Sequence, residues 1–148
     1  MNDLRWNSVW SMGVPDVDDQ HKLMLGILKS LGESKAIYEN RDAALISLRK
    51  FQENTKQHFI YEEALLIKAH YPETDGHKAD HAAYLEAVED AINSLAGLAN
   101  DDPRVGETVI RIRNDLQTLF TEHLVTFDMD YKWFLRDEGL SDPMTGVV

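Results

Sequence analysis

Apolar side chains recur along this chain at the spacing of an α-helix, in four separate stretches. Leu23, Met24, Ile27, Leu28 and Leu31 form the first stripe, and Asp18 is a suitable N-cap three residues ahead of His21. The pattern predicts helix A from Asp18 to about Tyr38, weakened near its end by Gly32. Asn40 or Asp42 caps helix B, whose inner face reads Ala44, Leu45, Leu48, Phe51, Thr55, His58, Glu62, Leu65 and Leu66. The run Tyr71-Pro72-Glu73-Thr74-Asp75-Gly76 breaks that helix and turns the chain. Helix C then carries His77, His81, Tyr84, Leu85, Val88, Ile92 and Leu95 to about Leu98. Asn100-Asp101-Asp102-Pro103 is a further start signal, with proline at the expected first helical position. Helix D follows through Val109, Ile112, Leu116, Leu119, Phe120, His123 and Phe127 toward Leu135. No stretch alternates as a strand would. Four amphipathic helices joined by short turns predict an all-α fold, an up-down-up-down antiparallel four-helix bundle. Residues 1–17 read as an N-terminal arm whose Trp6 and Trp10 pack on the bundle, 18–136 as the bundle, and 137–148 as a flexible tail.

Polar donors interrupt the apolar stripes, and they do so in register. His58 and Glu62 are four residues apart, as are His77 and His81, so each pair projects from one helical face, about 40° apart in direction. The turn between the pairs reverses the chain and lets the two faces meet. Helix A adds His21, and helix D adds His123 with a nearby aspartate. Five imidazoles in a leucine-rich core each need a partner, and a metal centre built between the helices satisfies them together. His70 is turned about 120° from His58, at the end of helix B where its ring can meet free carbonyls. Glu63 points about 140° from His58, so Glu62 is the ligand candidate of that pair.

Composition narrows the chemistry. There is no cysteine among the 148 residues, which excludes disulfides, thiolate sites and iron–sulfur clusters. The formal net charge of −11 argues against nucleic acid and anionic membranes as partners. No apolar run reaches the roughly 20 residues of a membrane span, and the first residues lack the basic and apolar regions of a signal peptide. A cytoplasmic protein is the expectation.

Four motifs then stand together: Val17-Asp18-Asp19-Gln20-His21, His58-Phe59-Ile60-Tyr61-Glu62-Glu63, His77-Lys78-Ala79-Asp80-His81 and His123-Leu124-Val125-Thr126-Phe127-Asp128. In these the chain resembles the hemerythrin family, most closely its single-domain bacterial members, from about Trp6 to Leu135. The resemblance implies two iron ions (Fe2+/Fe3+) with an oxo or hydroxo bridge. One iron would lie on His77, His81 and His123, the other on His21 and His58, with Glu62 and Asp128 bridging them. It also implies reversible binding of dioxygen at the second iron, which has one coordination position fewer filled. Leu124 and Leu119 depart from the isoleucine and tryptophan usual in the family.

Helical geometry and this resemblance disagree on the aspartate. His123 and Asp128 are five residues apart, about 140° on a regular α-helix, whereas Asp130 at seven would face the histidine better. A π-bulge between His123 and Asp128 would bring them into line, and we expect one there.

The donor set itself fits iron best, with manganese or cobalt open on chemistry alone: zinc prefers fewer ligands, and magnesium and calcium disfavour imidazole. A pocket walled by Met24, Leu25, Phe59, Phe120, Leu124 and Phe127 would keep out water and offers no proton relay. The expectation is a monomeric oxygen-binding protein for carriage, storage or delivery, not an enzyme, with no catalytic residue. A sensor with a protein partner is second, because no signalling domain is attached here. A di-iron enzyme (peroxidase or nitric-oxide scavenging) is third.

Overall fold

In a computed structural model of the chain, residues 6–138 are described, and they contain helices and no strand. A single 3-10 turn, Ser8–Trp10, precedes α1 (Pro15–Glu33), a short α2 (Lys35–Tyr38), α3 (Arg41–Lys68), α4 (Thr74–Ala96) and α5 (Val105–His123). A π-helical segment, Leu124–Asp128, joins α5 directly to α6 (Met129–Asp137). The last three form one rod, so the molecule is a four-helix bundle. α1 packs on α3 and α5, and α4 packs on the same two helices, which sets the four long elements in a ring around one core.

Three boundaries differ from the sequence pattern. α1 starts at Pro15 rather than after Asp18, with proline in the first turn, where its missing N–H costs nothing. Asp18 does not cap a helix. Its carboxylate accepts from the Ser11 hydroxyl at 2.6 Å and the Met12 N–H at 2.8 Å, tying the arm onto α1. Met12, Val14 and Val17 are fully buried, and Trp6 and Trp10 pack partly buried against the core. The first helix ends at Glu33, where Ser34 is extended (φ −95°, ψ 109°) before α2 starts at Lys35; Gly32 lies under the Arg113 side chain, and a Cβ there would stand 2.7 Å from Arg113 Nε. Pro103 sits in the turn before α5, whose first residue is Val105, while the Asp102 carboxylate accepts from the Arg104 N–H at 2.8 Å.

Asn40 caps α3 as expected, accepting from the Ala43 N–H at 3.0 Å. At the other end of α3, His70 lies beyond the last turn. The Tyr71 N–H bonds to Leu66 O and the His70 N–H to Ile67 O, the paired bonds that close a helix on a left-handed residue. His70 is that residue, with φ 55°, and its ring is exposed. The backbone, not the imidazole, satisfies these carbonyls. Predicted tail residues 139–148 lie outside the described residues.

Candidate metal centre

Four helices send seven donors to one buried point. His21 comes from α1, His58 and Glu62 from α3, His77 and His81 from α4, and His123 and Asp128 from the α5–π rod. Each is at most 5% exposed. Asp130 is exposed and His70 is exposed, so neither joins them.

The π-segment explains the aspartate. The Met129 N–H bonds back five residues to Leu124 O, which widens one turn and turns Asp128 to the side of His123. His123 Nε2 then lies 3.0 Å from Asp128 Oδ1.

The seven donors fall into two clusters that share their carboxylates. One contains Glu62, His77, His81, His123 and Asp128, and the other His21, His58, Glu62 and Asp128. Glu62 Oε1 faces the first, 2.8 Å from His77 Nε2 and 3.0 Å from His81 Nε2. Glu62 Oε2 faces the second, 3.4 Å from His58 Nε2. Asp128 divides in the same way, with Oδ1 3.1 Å from His77 Nε2 and Oδ2 3.3 Å from His21 Nε2. Each carboxylate therefore spans two adjacent positions, one with three imidazoles and one with two.

Tautomers follow from the outer nitrogens. His58 Nδ1 lies 2.6 Å from Gln20 Oε1, His81 Nδ1 2.7 Å from Glu63 Oε2, and His123 Nδ1 2.5 Å from Asp80 Oδ2. Those oxygens accept, so the Nδ1 atoms are the N–H donors and the Nε2 atoms present lone pairs when neutral. The lone pairs converge on carboxylate oxygens, which are also acceptors. Both Asp128 oxygens and His123 Nε2 lack a hydrogen-bond partner, and His21 Nε2 and His58 Nε2 stand 3.0 Å apart. Two carboxylates buried among lone pairs cost several kcal/mol each unless positive charge lies between them. A pair of cations fits this donor set. Its nitrogens and oxygens suit six-coordinate first-row metals rather than four-coordinate structural zinc.

Without a cation, protons must supply the positive charge. Burial opposes the charge on His77 and His123, yet the close Asp128 and Glu62 carboxylates raise them to about 9 and about 11. Burial wins at His58, which falls to about 3. Burial alone would raise the two carboxyl groups; the histidines around them pull both well below the usual range. The negative potential that retains those protons is the one that would attract a metal.

Aromatic rings sheathe the cluster. Phe59 stacks on His81 with centroids 3.7 Å apart, Phe127 stacks on His123 at 5.4 Å, and the Phe120 edge meets His21 at 5.4 Å. Met24, Leu25, Phe59, Phe120 and Leu124 are buried as the sequence led us to expect, and Phe127 is half-buried. A surface cleft is lined by Tyr71, Glu73, Thr126, Phe127 and Asp130 and borders buried His77.

Four residues of the centre escaped the sequence reading. Gln20, Glu63 and Asp80 each adjoin an inward donor; helical direction turns Glu63 away from His58, and the motifs give Gln20 and Asp80 no role of their own. Tyr131, fully buried, donates its hydroxyl to Glu62 Oε2 at 2.8 Å. It stands one turn beyond Asp128, and that i,i+3 spacing was the available signal. Burial and the Glu62 charge push its hydroxyl well above the ordinary tyrosine value, so it holds its proton.

None of the described helices is long and apolar enough to cross a membrane. Comparisons with curated proteins and with solved structures gave no match. The family model for the hemerythrin HHE cation-binding domain does match, over residues 12–132. That span takes in all seven donors and every α-helix but the end of α6, and the chain belongs to this family.

Proposed function

We propose that this chain binds dioxygen reversibly, for carriage, storage or delivery, at two iron ions joined by an oxo or hydroxo bridge. The observation that carries the reading is the division of each carboxylate between a three-histidine and a two-histidine cluster. Held between these residues, an iron pair would supply the electrons that dioxygen binding requires. His77, His81 and His123, with Glu62 Oε1 and Asp128 Oδ1, offer five donors on one side. His21 and His58, with Glu62 Oε2 and Asp128 Oδ2, offer four on the other. With one bridging group common to both, octahedral sites would be complete on the first side and one short on the second.

The chain's own groups make that second side selective for a small apolar guest. Met24 and Leu25 stand one turn after His21 on the same face of α1, and Phe120 and Leu124 close it from the neighbouring α5–π rod. These side chains keep out water and offer a small guest no hydrogen bond, which favours its release unchanged. Tyr131 is the one hydroxyl that donates to an inner carboxylate among the described residues, and its proton is committed to Glu62. With no nucleophile or catalytic acid–base pair in this reading, binding is favoured over turnover.

The test is an optical spectrum of the anaerobic di-ferrous protein taken through cycles of air and argon. A charge-transfer band that appears in air and disappears under argon over many cycles supports a carrier. Irreversible bleaching, or steady consumption of dioxygen with a reductant, would replace this reading with an enzymatic one.

A further inference from the structure

The groups behind the imidazoles are passed around the bundle from helix to helix. Gln20, next to His21 on α1, reaches His58 on α3. Glu63, next to Glu62 on α3, reaches His81 on α4. Asp80, next to His81 on α4, reaches His123 on α5. One residue along a helix is a turn of about 100°, so the neighbour of an inward donor faces the adjoining helix. The series stops there: the outer nitrogens of His21 and His77 are buried without a hydrogen-bond partner among the described residues.

These outer acceptors differ in charge. In the three-histidine cluster, two imidazoles are backed by carboxylates, Glu63 and Asp80. In the two-histidine cluster, one is backed by the neutral amide of Gln20 and the other by nothing.

We infer that the two halves of the centre differ in cation affinity because of these outer groups. The His77, His81 and His123 half fills first, the His21 and His58 half second, and Gln20 is the positioning residue that sets the affinity of the weaker half. This rests on the metal-binding reading above. An Nδ1–H that donates to a carboxylate leaves more electron density on Nε2 than one that donates to an amide. Glu63 and Asp80 also bring two negative charges near one half only. Donor number favours the same half, three imidazoles against two, so filling order alone does not isolate the outer groups. Conservative substitutions do.

The experiment titrates Co2+ into the full chain after removal of metal by a chelator. The d–d absorption reports ligand geometry, and competition with a chromophoric chelator gives the two affinities. Two resolved steps are expected. Glu63→Gln and Asp80→Asn should each weaken the tighter step about 10- to 100-fold. Gln20→Glu should tighten the weaker step about tenfold and move the tighter one far less. A gain in affinity cannot come from a damaged fold, and far-UV circular dichroism guards the two losses. Two equal steps in the unsubstituted chain would overturn the inference, as would a weaker step that Gln20→Glu leaves unmoved. Failure to bind any Co2+ would instead overturn the metal-binding reading, and the ordering with it.

Discussion

Deleting Val125 should leave this protein folded and its metal site intact, although the deletion falls in the middle of a helical rod. Val125 lies in the π-segment and its side chain is 57% exposed, so removing it uncovers no core. The π-segment contains one residue more than a regular helix would need between His123 and Asp128. Without Val125 they are four apart, about 40° in direction on an α-helix, and still on one face. Tyr131 and Leu135 keep their spacing from Asp128 and stay buried. A change on the order of 1 kcal/mol is expected, since no core contact is lost.

The control is deletion of Thr118, also exposed but in the regular part of α5. It turns every later residue by about 100° relative to the start of the helix. Phe120, Leu124 and Leu135, each at most 3% exposed, would leave the core at about 1.5–3 kcal/mol apiece. That loss is comparable with the whole stability of a typical domain, about 5–15 kcal/mol, and His123 and Asp128 would turn away with them. Thermal unfolding followed by circular dichroism, with bound metal per chain measured after dialysis, compares the two. If deleting Val125 abolishes cooperative unfolding or metal binding as deleting Thr118 does, the extra residue is not accommodated in the π-segment and the reasoning fails.

Tyr131→Phe removes the hydroxyl that donates to Glu62 Oε2; denaturant unfolding of the metal-free protein should show a loss of about 1.5–3 kcal/mol, typical of a hydrogen bond to a charged group. An unchanged midpoint would mean that Glu62 does not depend on that bond. His70→Gly relieves a left-handed backbone at the end of α3 and should raise stability by about 1 kcal/mol with metal content unchanged; a loss of metal would place His70 in the centre after all. In the metal-free protein, His77 and His123 have pKa values raised to about 9 and about 11. Their contribution to stability is therefore complete below the unfolded value near 6.5 and is lost as pH rises through the folded values. Urea unfolding at pH 6, 8 and 10 should show this alkaline loss without metal and a much smaller one with it; parallel curves would count against it.

The inner face of the centre was legible because its donors obey the same spacing as the core. His58 with Glu62 and His77 with His81 are four apart, and each pair continues an apolar stripe through Leu65 or Tyr84. Where the geometry left that spacing, the pattern alone could not decide. Asp128 is five from His123, a regular helix prefers Asp130, and only the resemblance to a family pointed to a widened turn. Asp18 shows a different limit. It has the chemistry of an N-cap, but its carboxylate serves the arm, and Pro15 held the better signal for where α1 begins.

The outer groups were hidden for the most general reason. Periodicity assigns the positions beside an inward donor to the flank, and a flank is exposed on a lone helix but shared in a bundle. The same 100° step that turns His21, Glu62 and His81 inward turns their neighbours toward the next helix. Sequence therefore offers two candidates beside each donor, and packing selects one. Gln20 is used rather than Lys22, and Asp80 rather than Ala82, because only an acceptor can take the Nδ1–H. Glu63 is used rather than Tyr61, whose hydroxyl turns the other way and donates to Asp16 at 3.0 Å. Two of the three choices follow from chemistry already written in the sequence, since lysine and alanine offer no acceptor. The rule that finds them is to look one residue to either side of each ligand for an oxygen that can accept.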